Sequence, residues 1–372
     1  MVIQFTDIKQ ALRNRDPDLI LDILPDYLTQ SPEHWDRVLQ QMVFLSAGEE
    51  ITNNFPKGIV YLDAVRDLAT LYEGSNSEKL TDLLRFAVKG FCCLNIHLQD
   101  QSLTQIKPEF FSEPVFTRDI TQYIRSGDQE KALEESAKLL IMMDNPMYLV
   151  EILASLAADY REYDGYPLVI AGTVMKSVDY VNSFQRNALV YFLTEYLCYL
   201  HLKNKPSLSK SQLSREKFSV IPYFRSVLTE QEVKPRKLLY LVYAQQLWES
   251  ARMKESEIQS GIQWYLEQHY TLSKTTLEMK QEYEQVEPEE LIKALHDRNQ
   301  TDVRSCALGY LQHGGAAGEL FRAILKLFLE RSDPQDTESL ITLNAYRTAA
   351  ASLKSPLRDE AIVRAAELLS AD

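Results

Sequence analysis

Glycine is scarce in this sequence, with 12 among 372 residues, about half of the roughly 7% that proteins usually contain. Sustained alternation of apolar and polar residues is also missing, which argues against β-sheets. The segment FSVIPYF (218–224) is the sole strand-like run, and Pro222 weakens it because proline cannot donate a hydrogen bond within a sheet. Plentiful Leu, Ala, Glu, Gln and Lys favour helices instead. The sequence therefore predicts an all-α fold.

Long apolar runs are absent as well. The longest is LLYLVYA (238–244), far short of the roughly 20 residues that a membrane-spanning helix needs. The N-terminal residues MVIQFTDIKQ lack the basic and apolar parts of a secretory signal. We therefore expect a cytoplasmic protein with no membrane partner.

Positive charge is in deficit, since 40 Lys and Arg face 53 Asp and Glu for a net charge of −13. Phosphate backbones are bound by clustered Lys and Arg, so we expect no nucleic-acid partner. The densest basic stretch, KNKPSLSKSQLSREK (203–217), is mostly Ser and Pro between its charges. We interpret it as an exposed linker, with a phosphate site as the alternative.

Cysteine is rare and carries no metal or disulfide spacing. The four cysteines are Cys92, Cys93, Cys198 and Cys306. We expect them to be buried, reduced thiols.

Motifs for catalysis, cofactors and metals are also missing. The sequence has no G-x-x-x-x-G-K, G-x-G-x-x-G, G-x-S-x-G, H-E-x-x-H or C-x-x-C. None of the six histidines has a Glu three residues before it, as the metal-binding pairs of di-iron bundles do; they are His34, His97, His201, His269, His296 and His313. We therefore predict no metal site and no cofactor, and catalytic and cofactor-binding residues stay unknown.

Three weaker features each have a structural and a functional interpretation. The cluster HGGAAGEL (313–320) could bind an anion, but we expect Gly314 and Gly315 to end a helix and Gly318 to let the next helix pack closely. Ser214 and Lys217 have the spacing of a Ser–Lys pair within the linker. The acid pairs Glu49–Glu50 and Glu289–Glu290 are interpreted as complements of helix dipoles rather than as acid/base pairs.

One stretch that is present, YIRSGDQEKALEESAKLL (123–140), predicts a helical hairpin. A helix ends near Ser126, the chain turns through Gly127 and Asp128, and Asp128 caps a second helix. That helix buries Ala132, Leu133, Ala137 and Leu140, and it stops before the DNP segment 144–146. We also predict a helix over 184–202 with caps at Asn182–Ser183, and another that starts at Pro235.

Similar hairpin signals occur near both ends of the chain. Asp16 and Asn299 occupy the position of Asp128 in IKQALRNRDPDLILDILPDYL and ELIKALHDRNQTDVRSCALGYL. The signals predict an irregular array of antiparallel helical hairpins, a solenoid or a bundle, built of three diverged four-helix units. Chance similarity between amphipathic helices is the alternative. Proline-bearing loops at 106–114 and 204–212 divide the chain into helical units 1–105, 106–203 and 235–372, with a linker at 204–234.

Gly127, Asp128, Ala132 and Leu133 resemble the second helix of a tetratricopeptide repeat. The resemblance covers one hairpin, residues 123–146, and implies an irregular helical repeat. More faintly, the four-helix units resemble helical domains of questin-oxidase-like and Rieske-associated proteins. That resemblance implies an oxidative enzyme, but its helical histidines do not match positions here.

Tyrosine is frequent, with 20 against 14 Phe and 3 Trp. Its apolar ring and polar tip suit half-buried walls of grooves and interfaces. The same properties also suit residues at the edge of a hydrophobic core, which is the alternative interpretation. We therefore expect a protein-interaction module or complex subunit with a protein partner, and self-association by the same surface. The alternative is a helical-bundle enzyme, oxidative if the fainter resemblance applies, with a site assembled from isolated residues such as His97, His201 and His313.

Overall fold

The computed structural model describes residues 3–31, 33–51, 55–72, 77–97, 114–143, 145–160, 163–203, 218–230, 232–272, 282–297 and 300–369. These residues are 79% helical and contain no strand beyond one isolated antiparallel bridge between Glu49 and Ile96. The predicted all-α fold is therefore confirmed. Within the same ranges, no helix is both long enough and apolar enough to cross a membrane.

The described ranges form eighteen α-helices and one short 3-10 helix (Thr70–Tyr72). The first nine are α1 (Phe5–Asn14), α2 (Pro17–Gln30), α3 (His34–Ser46), α4 (Lys57–Ala69), α5 (Ser77–Cys93), α6 (Thr117–Ser126), α7 (Gln129–Met142), α8 (Met147–Asp159) and α9 (Tyr166–Tyr180). The others are α10 (Ser183–Lys203), α11 (Ile221–Leu228), α12 (Pro235–Ser250), α13 (Glu255–His269), α14 (Pro288–Asp297), α15 (Gln300–Gln312), α16 (Ala317–Arg331), α17 (Thr337–Ser352) and α18 (Leu357–Leu368).

The chain divides into two compact units, each made of three segments. Unit 1 comprises Met1–Asp63, Phe91–Phe218 and Tyr243–His269, and unit 2 comprises Ala64–Gly90, Ser219–Val242 and Tyr270–Asp372. The predicted boundary at 105/106 lies among residues outside the described ranges, and the one at 203/204 lies at the edge of a described range. The predicted division into helical units therefore stays a prediction.

Helix α10 is the centre of unit 1. It packs against α3, α6, α7, α8 and α9, and its side chains Leu189, Leu193, Leu197 and Leu200 are fully buried. A reciprocal capping box starts it, because Asn182 Oδ1 accepts from the Gln185 N–H (3.1 Å) and Gln185 Oε1 accepts from the Asn182 N–H (3.3 Å). The predicted cap at Asn182 is therefore confirmed.

Helix α18 has the corresponding place in unit 2, where it packs against α11, α15, α16 and α17. Its small and branched residues Ala361, Ile362, Val363, Ala365 and Ala366 are fully buried. Small side chains let neighbouring helices approach closely, which suits a helix that is enclosed by four others.

The predicted hairpin over 123–140 is confirmed as α6 and α7. Gly127 adopts a left-handed conformation (φ 75°) that ends α6, and Asp128 Oδ1 accepts from the Lys131 N–H at 3.3 Å. The buried face of α7 includes Ala132, Ala137 and Leu140. Leu133 is only half-buried, so the prediction that it belongs to the buried core face is wrong.

The structure describes one of the two predicted counterparts of the α6–α7 hairpin fully and the other only in part. Asp16 caps α2 by accepting from the Leu19 N–H at 3.0 Å, after a left-handed Arg15 (φ 53°). Asn299 lies outside the described residues, although α14 and α15 flank it as predicted. The larger four-helix repeat stays a prediction.

Residues 218–224 do not form a strand. Ile221–Leu228 is α11, with Pro222 in its first turn. A backbone N–H at that position would have no hydrogen-bond partner within the helix, so proline costs little there. The predicted helix start at Pro235 is confirmed in α12.

The glycine cluster ends α15 as predicted, because Gly314 is left-handed (φ 88°). The prediction for Gly318 is wrong. A side chain built there would meet nothing within 4 Å, so no close helix contact depends on this glycine.

Candidate functional site

A cavity of about 360 Å³ lies between α5 and α16 of unit 2. We call it the basic groove. Its charged lining residues are Lys79, Asp82, Arg85, Lys89, Lys326 and Glu330. Five of the lining residues belong to α5. Most are three or four residues apart, which places them on one side of the helix.

The charges of the basic groove do not cancel. Asp82 pairs with Arg85 (3.5 Å between oxygen and nitrogen), and Glu330 pairs with Lys326 (3.7 Å). Lys79 and Lys89 have no ion-pair partner within the described ranges and are exposed. Among the described lining residues, four cations face two anions, a local excess of positive charge in a chain of net charge −13.

The two ion pairs are exposed to water, with 45% and 54% of the Arg85 and Asp82 side chains accessible. Exposed pairs contribute about 0–1 kcal/mol. An incoming anion can therefore exchange with Asp82 or Glu330 at little cost, and all four cations are available to it.

Apolar and aromatic side chains form the rest of the lining: Tyr72, Phe86, Leu329 and Pro334. Phe86 is held by Phe328, with ring centroids 5.8 Å apart. Burial raises the pKa of Tyr72 to about 12, so its phenol stays neutral and protonated near pH 7. The groove thus combines an apolar wall with positive charge at its edges, an arrangement suited to binding an anionic group joined to an apolar one.

The histidines suggested for an oxidative site take part in separate local contacts. His97 Nε2 lies 3.2 Å from Glu50 Oε2 on the surface of unit 1, and His201 is half-buried near the end of α10. His313 Nε2 lies 3.0 Å from the Tyr283 carbonyl oxygen in unit 2. Within the part of the chain that the structure describes, no three His, Cys, Asp or Glu side chains are placed to hold a metal ion.

The buried carboxylate of Asp63 in unit 1 has a structural explanation. Its Oδ2 accepts from the Tyr243 hydroxyl and from Lys176 Nζ, both at 2.7 Å. The Lys176 ammonium also lies 5.7 Å from the centre of the Tyr243 ring. This arrangement joins α4, α9 and α12, and it satisfies a charge that would otherwise be costly to bury.

Glu151 is a second buried carboxylate of unit 1. Its Oε2 accepts from the backbone N–H groups of Arg252, Met253 and Lys254, at 3.2, 2.6 and 3.0 Å. These donors lie in the connection between α12 and α13, so Glu151 of α8 holds this connection in place from another helix.

A third cluster is the ion network of unit 2. Arg304 pairs with Glu360 and Glu367 at 2.7 and 3.0 Å. Arg364 pairs with the same two carboxylates and donates to the Glu230 carbonyl oxygen at 3.0 Å. These pairs join α15 and α18, and each of the four carboxylate oxygens has an arginine partner.

The acid pairs act as helix complements, as predicted, with one exception. Glu289 and Glu290 lie in the first turn of α14, and Glu49 accepts from the N–H groups of Lys57 and Gly58 at the start of α4 (3.1 and 2.6 Å). Glu50 instead contacts Asn95 and His97. The pair Ser214–Lys217 lies outside the described residues, as does the basic linker after Lys203.

The four cysteines differ in burial, whereas the sequence predicts that all of them are buried. Cys198 is buried, and burial raises its thiol pKa to about 12. Cys93 is exposed, and Cys92 and Cys306 are partly buried. The prediction of four buried thiols is therefore wrong for Cys93, the last residue of α5.

Comparison of the chain with models of protein families, with curated proteins and with solved structures finds no match. The resemblances to tetratricopeptide repeats and to oxidative helical domains stay predictions. The function must therefore be argued from the groove itself.

Sequence reasoning did not identify the basic groove. The spacing of Lys79, Phe86 and Lys89 along α5 is a detectable signal, but many exposed helices share it. This face of α5 differs from other exposed helix faces because it lies beside α16, and only the tertiary structure shows that arrangement.

Proposed function

We propose that this chain is a protein-interaction module, a subunit that binds a partner protein, and that the basic groove of unit 2 is its docking surface. The observation that carries the proposal is that Lys79 and Lys89, which have no ion-pair partner among the described residues, line the groove beside Tyr72 and Phe86. An unneutralised positive surface in an acidic chain is matched by an acidic partner.

A protein partner suits the groove better than a nucleic acid does. Nucleic acids are bound by many Lys and Arg that follow a long phosphate backbone, whereas this groove offers four cations around one cavity. Its aromatic residues Tyr72 and Phe86 are largely buried and form an apolar floor against which a partner side chain can pack.

The proposal is tested by affinity capture from the native host with the full chain as bait. We expect a stoichiometric partner that the wild-type chain retains and that Lys79→Glu/Lys89→Glu loses at least tenfold, because the double change reverses both free charges. The matched control is Lys293→Glu/Lys354→Glu, which alters total charge equally at two exposed lysines of unit 2 outside the groove.

Partner recovery that is equal for all three chains would place the binding surface elsewhere. Recovery of the bait alone would contradict a complex-subunit role. Far-UV circular dichroism and thermal unfolding of each variant separate lost binding from lost folding.

A further inference from the structure

The basic groove of unit 2 has the features of a pocket for one charged aromatic side chain. On the basis of the proposed function, we infer that the groove receives a single phosphotyrosine side chain of the partner protein. The phosphate lies between Arg85 and Lys89, and the phenyl ring lies against Leu329, which lines the same groove.

The charge of the groove matches a dianion. Among the described lining residues, four cations and two anions leave an excess of two positive charges. A phosphate monoester carries a charge of about −1.5 to −2 near pH 7, whereas a carboxylate of Asp or Glu carries a single negative charge. One phosphorylated side chain therefore neutralises the excess, and one carboxylate leaves part of it uncompensated.

The spacing of the cations along α5 sets the position of the phosphate. Arg85 and Lys89 are four residues apart, so they lie on the same side of the helix, about 6 Å apart along its axis. Lys79 is ten residues from Lys89, which corresponds to about 15 Å along the axis. One phosphate therefore meets Arg85 and Lys89 together, while Lys79 attracts it from a longer distance.

Arg85 is available to a phosphate although it has a partner. Its Nη1 lies 3.5 Å from Asp82 Oδ1, and the two side chains are 45% and 54% exposed, so water screens the ion pair. A guanidinium donates two parallel hydrogen bonds to a phosphate, and such charge-assisted bonds are shorter and stronger than this contact. Arg85 therefore exchanges Asp82 for a phosphate, and the Asp82 carboxylate returns to water.

The apolar part of the groove begins beside the proposed phosphate position. Phe86 follows Arg85 directly and is three residues before Lys89. Because Phe86 is only 5% exposed, most of the surface that a ring can cover belongs to the half-buried Leu329 and Pro334. A phenyl ring there removes apolar area from water, which stabilises the complex. Phosphoserine has no ring and lacks this contribution.

The size of the cavity agrees with one large side chain. A residue within a helix occupies roughly 120 Å³, from a diameter of about 10 Å and a rise of about 1.5 Å. By this measure the cavity of about 360 Å³ has room for about three residues. A phosphotyrosine and parts of its two neighbours meet that limit.

The test is isothermal titration calorimetry of the full chain with four peptides that differ at one position. The first is acetyl-Gly-Ser-phosphotyrosine-Ser-Gly-amide. The others carry at the central position Tyr, phosphoserine or 4-carboxymethylphenylalanine, which keeps the ring but has one negative charge. We expect the first peptide to bind at least tenfold more tightly than the Tyr peptide and at least threefold more tightly than the other two.

Variants of the two phosphate-binding cations test the proposed position. Arg85→Gln/Lys89→Gln should weaken binding of the phosphotyrosine peptide at least tenfold. The matched control Lys293→Gln/Lys354→Gln removes two exposed lysines of unit 2 outside the groove and should leave the affinity within twofold of wild type. Far-UV circular dichroism of each variant confirms that it is folded.

Two single variants distinguish this position from general attraction by positive charge. Lys79→Gln should weaken binding by less than threefold, because Lys79 is far from the phosphate along α5. Asp82→Asn should tighten binding at least twofold, because it removes the competitor for Arg85. An effect of Lys79→Gln as large as that of Arg85→Gln/Lys89→Gln would overturn the assigned position.

Other results would overturn the inference as a whole. These are binding of none of the peptides, equal binding of the phosphotyrosine and Tyr peptides, and binding that Arg85→Gln/Lys89→Gln leaves intact. Equal affinity for the phosphoserine or the carboxymethyl peptide would also overturn it, because the ring or the second charge would then contribute nothing.

The capture experiment separates this inference from the proposed function. Treatment of the host lysate with a phosphatase before capture should remove the partner that the untreated lysate supplies. A partner that is retained after phosphatase treatment, and is still lost with Lys79→Glu/Lys89→Glu, would overturn the phosphotyrosine and leave the docking surface in place.

Discussion

At the scale of single residues, the Glu49 carboxyl of unit 1 has a pKa well above its ordinary value. Burial raises its pKa from 4.5 to about 7, although the N–H groups of Gly58 and Lys57 stabilise the charged form and act in the opposite direction. Desolvation therefore outweighs two hydrogen bonds, and the carboxyl group becomes half-protonated near neutral pH.

The raised pKa predicts a stability that depends on pH. Below pH 4.5 the group is protonated in both the folded and the unfolded chain and contributes no difference. Between pH 4.5 and 7 the unfolded chain ionises first, so the free energy of unfolding falls as pH rises, by at most about 3 kcal/mol in total.

We expect Glu49→Gln to remove this dependence, because glutamine keeps a neutral acceptor at the start of α4. The variant should gain stability relative to wild type as pH rises from 4.5 to 7.5, as measured by urea unfolding at each pH. Glu130→Gln, at an exposed position in the first turn of α7, is the control. A difference between Glu49→Gln and wild type that stays constant with pH would contradict the expectation.

At the scale of secondary-structure elements, the turn between α6 and α7 depends on one backbone conformation. Gly127 has φ of 75°, and a side chain there would also meet the Leu202 side chain at 2.5 Å. Leu202 is 66% exposed and free to move away. The left-handed backbone is therefore the larger cost of any substitution.

We expect Gly127→Ala to lower the free energy of unfolding by about 1–2 kcal/mol, the cost of a left-handed conformation for an L-residue. Gly318→Ala is the matched control, since Gly318 is exposed in α16 with open space around it. It should be neutral or stabilise by up to about 1 kcal/mol through helix propensity. Equal effects of the two changes in denaturant titrations would show that the turn does not depend on its glycine.

At the scale of the whole molecule, distant parts of the chain meet in buried polar contacts. Within unit 1, Asp63, Lys176 and Tyr243 come from three helices and share one carboxylate oxygen. The Asp63 side chain is fully buried, whereas Lys176 is 24% exposed. Lys176 can therefore recover part of its hydration if the carboxylate is removed.

We expect Asp63→Ala to destabilise the chain by about 3 kcal/mol, near the lower end of the range for broken buried ion pairs because of the access of Lys176 to water. Asp26→Ala, at an exposed position of α2, should change stability by less than about 0.5 kcal/mol. Thermal and urea unfolding give both values. A loss below about 1 kcal/mol for Asp63→Ala would mean that the contact contributes little.

The sequence alone determined the local features, which depend only on residues close to one another along the chain. The hairpin at Gly127 and Asp128, the cap at Asp16 and the starts of α10 and α12 were predictable, because caps and left-handed turns are chemical properties of a few consecutive residues. The all-α class followed in the same way from composition and periodicity.

Only the tertiary structure decided what depends on residues that are distant in the chain. Gly318 was expected to allow close packing and instead faces open space, and Glu151 of α8 binds the backbone between α12 and α13. Lys79 and Lys89 line one groove with Leu329 and Lys326 only because α5 and α16 lie on either side of it. Helical periodicity defines which face of a helix is apolar or charged, but many packings bury similar areas, so it does not specify which other helix lies against that face.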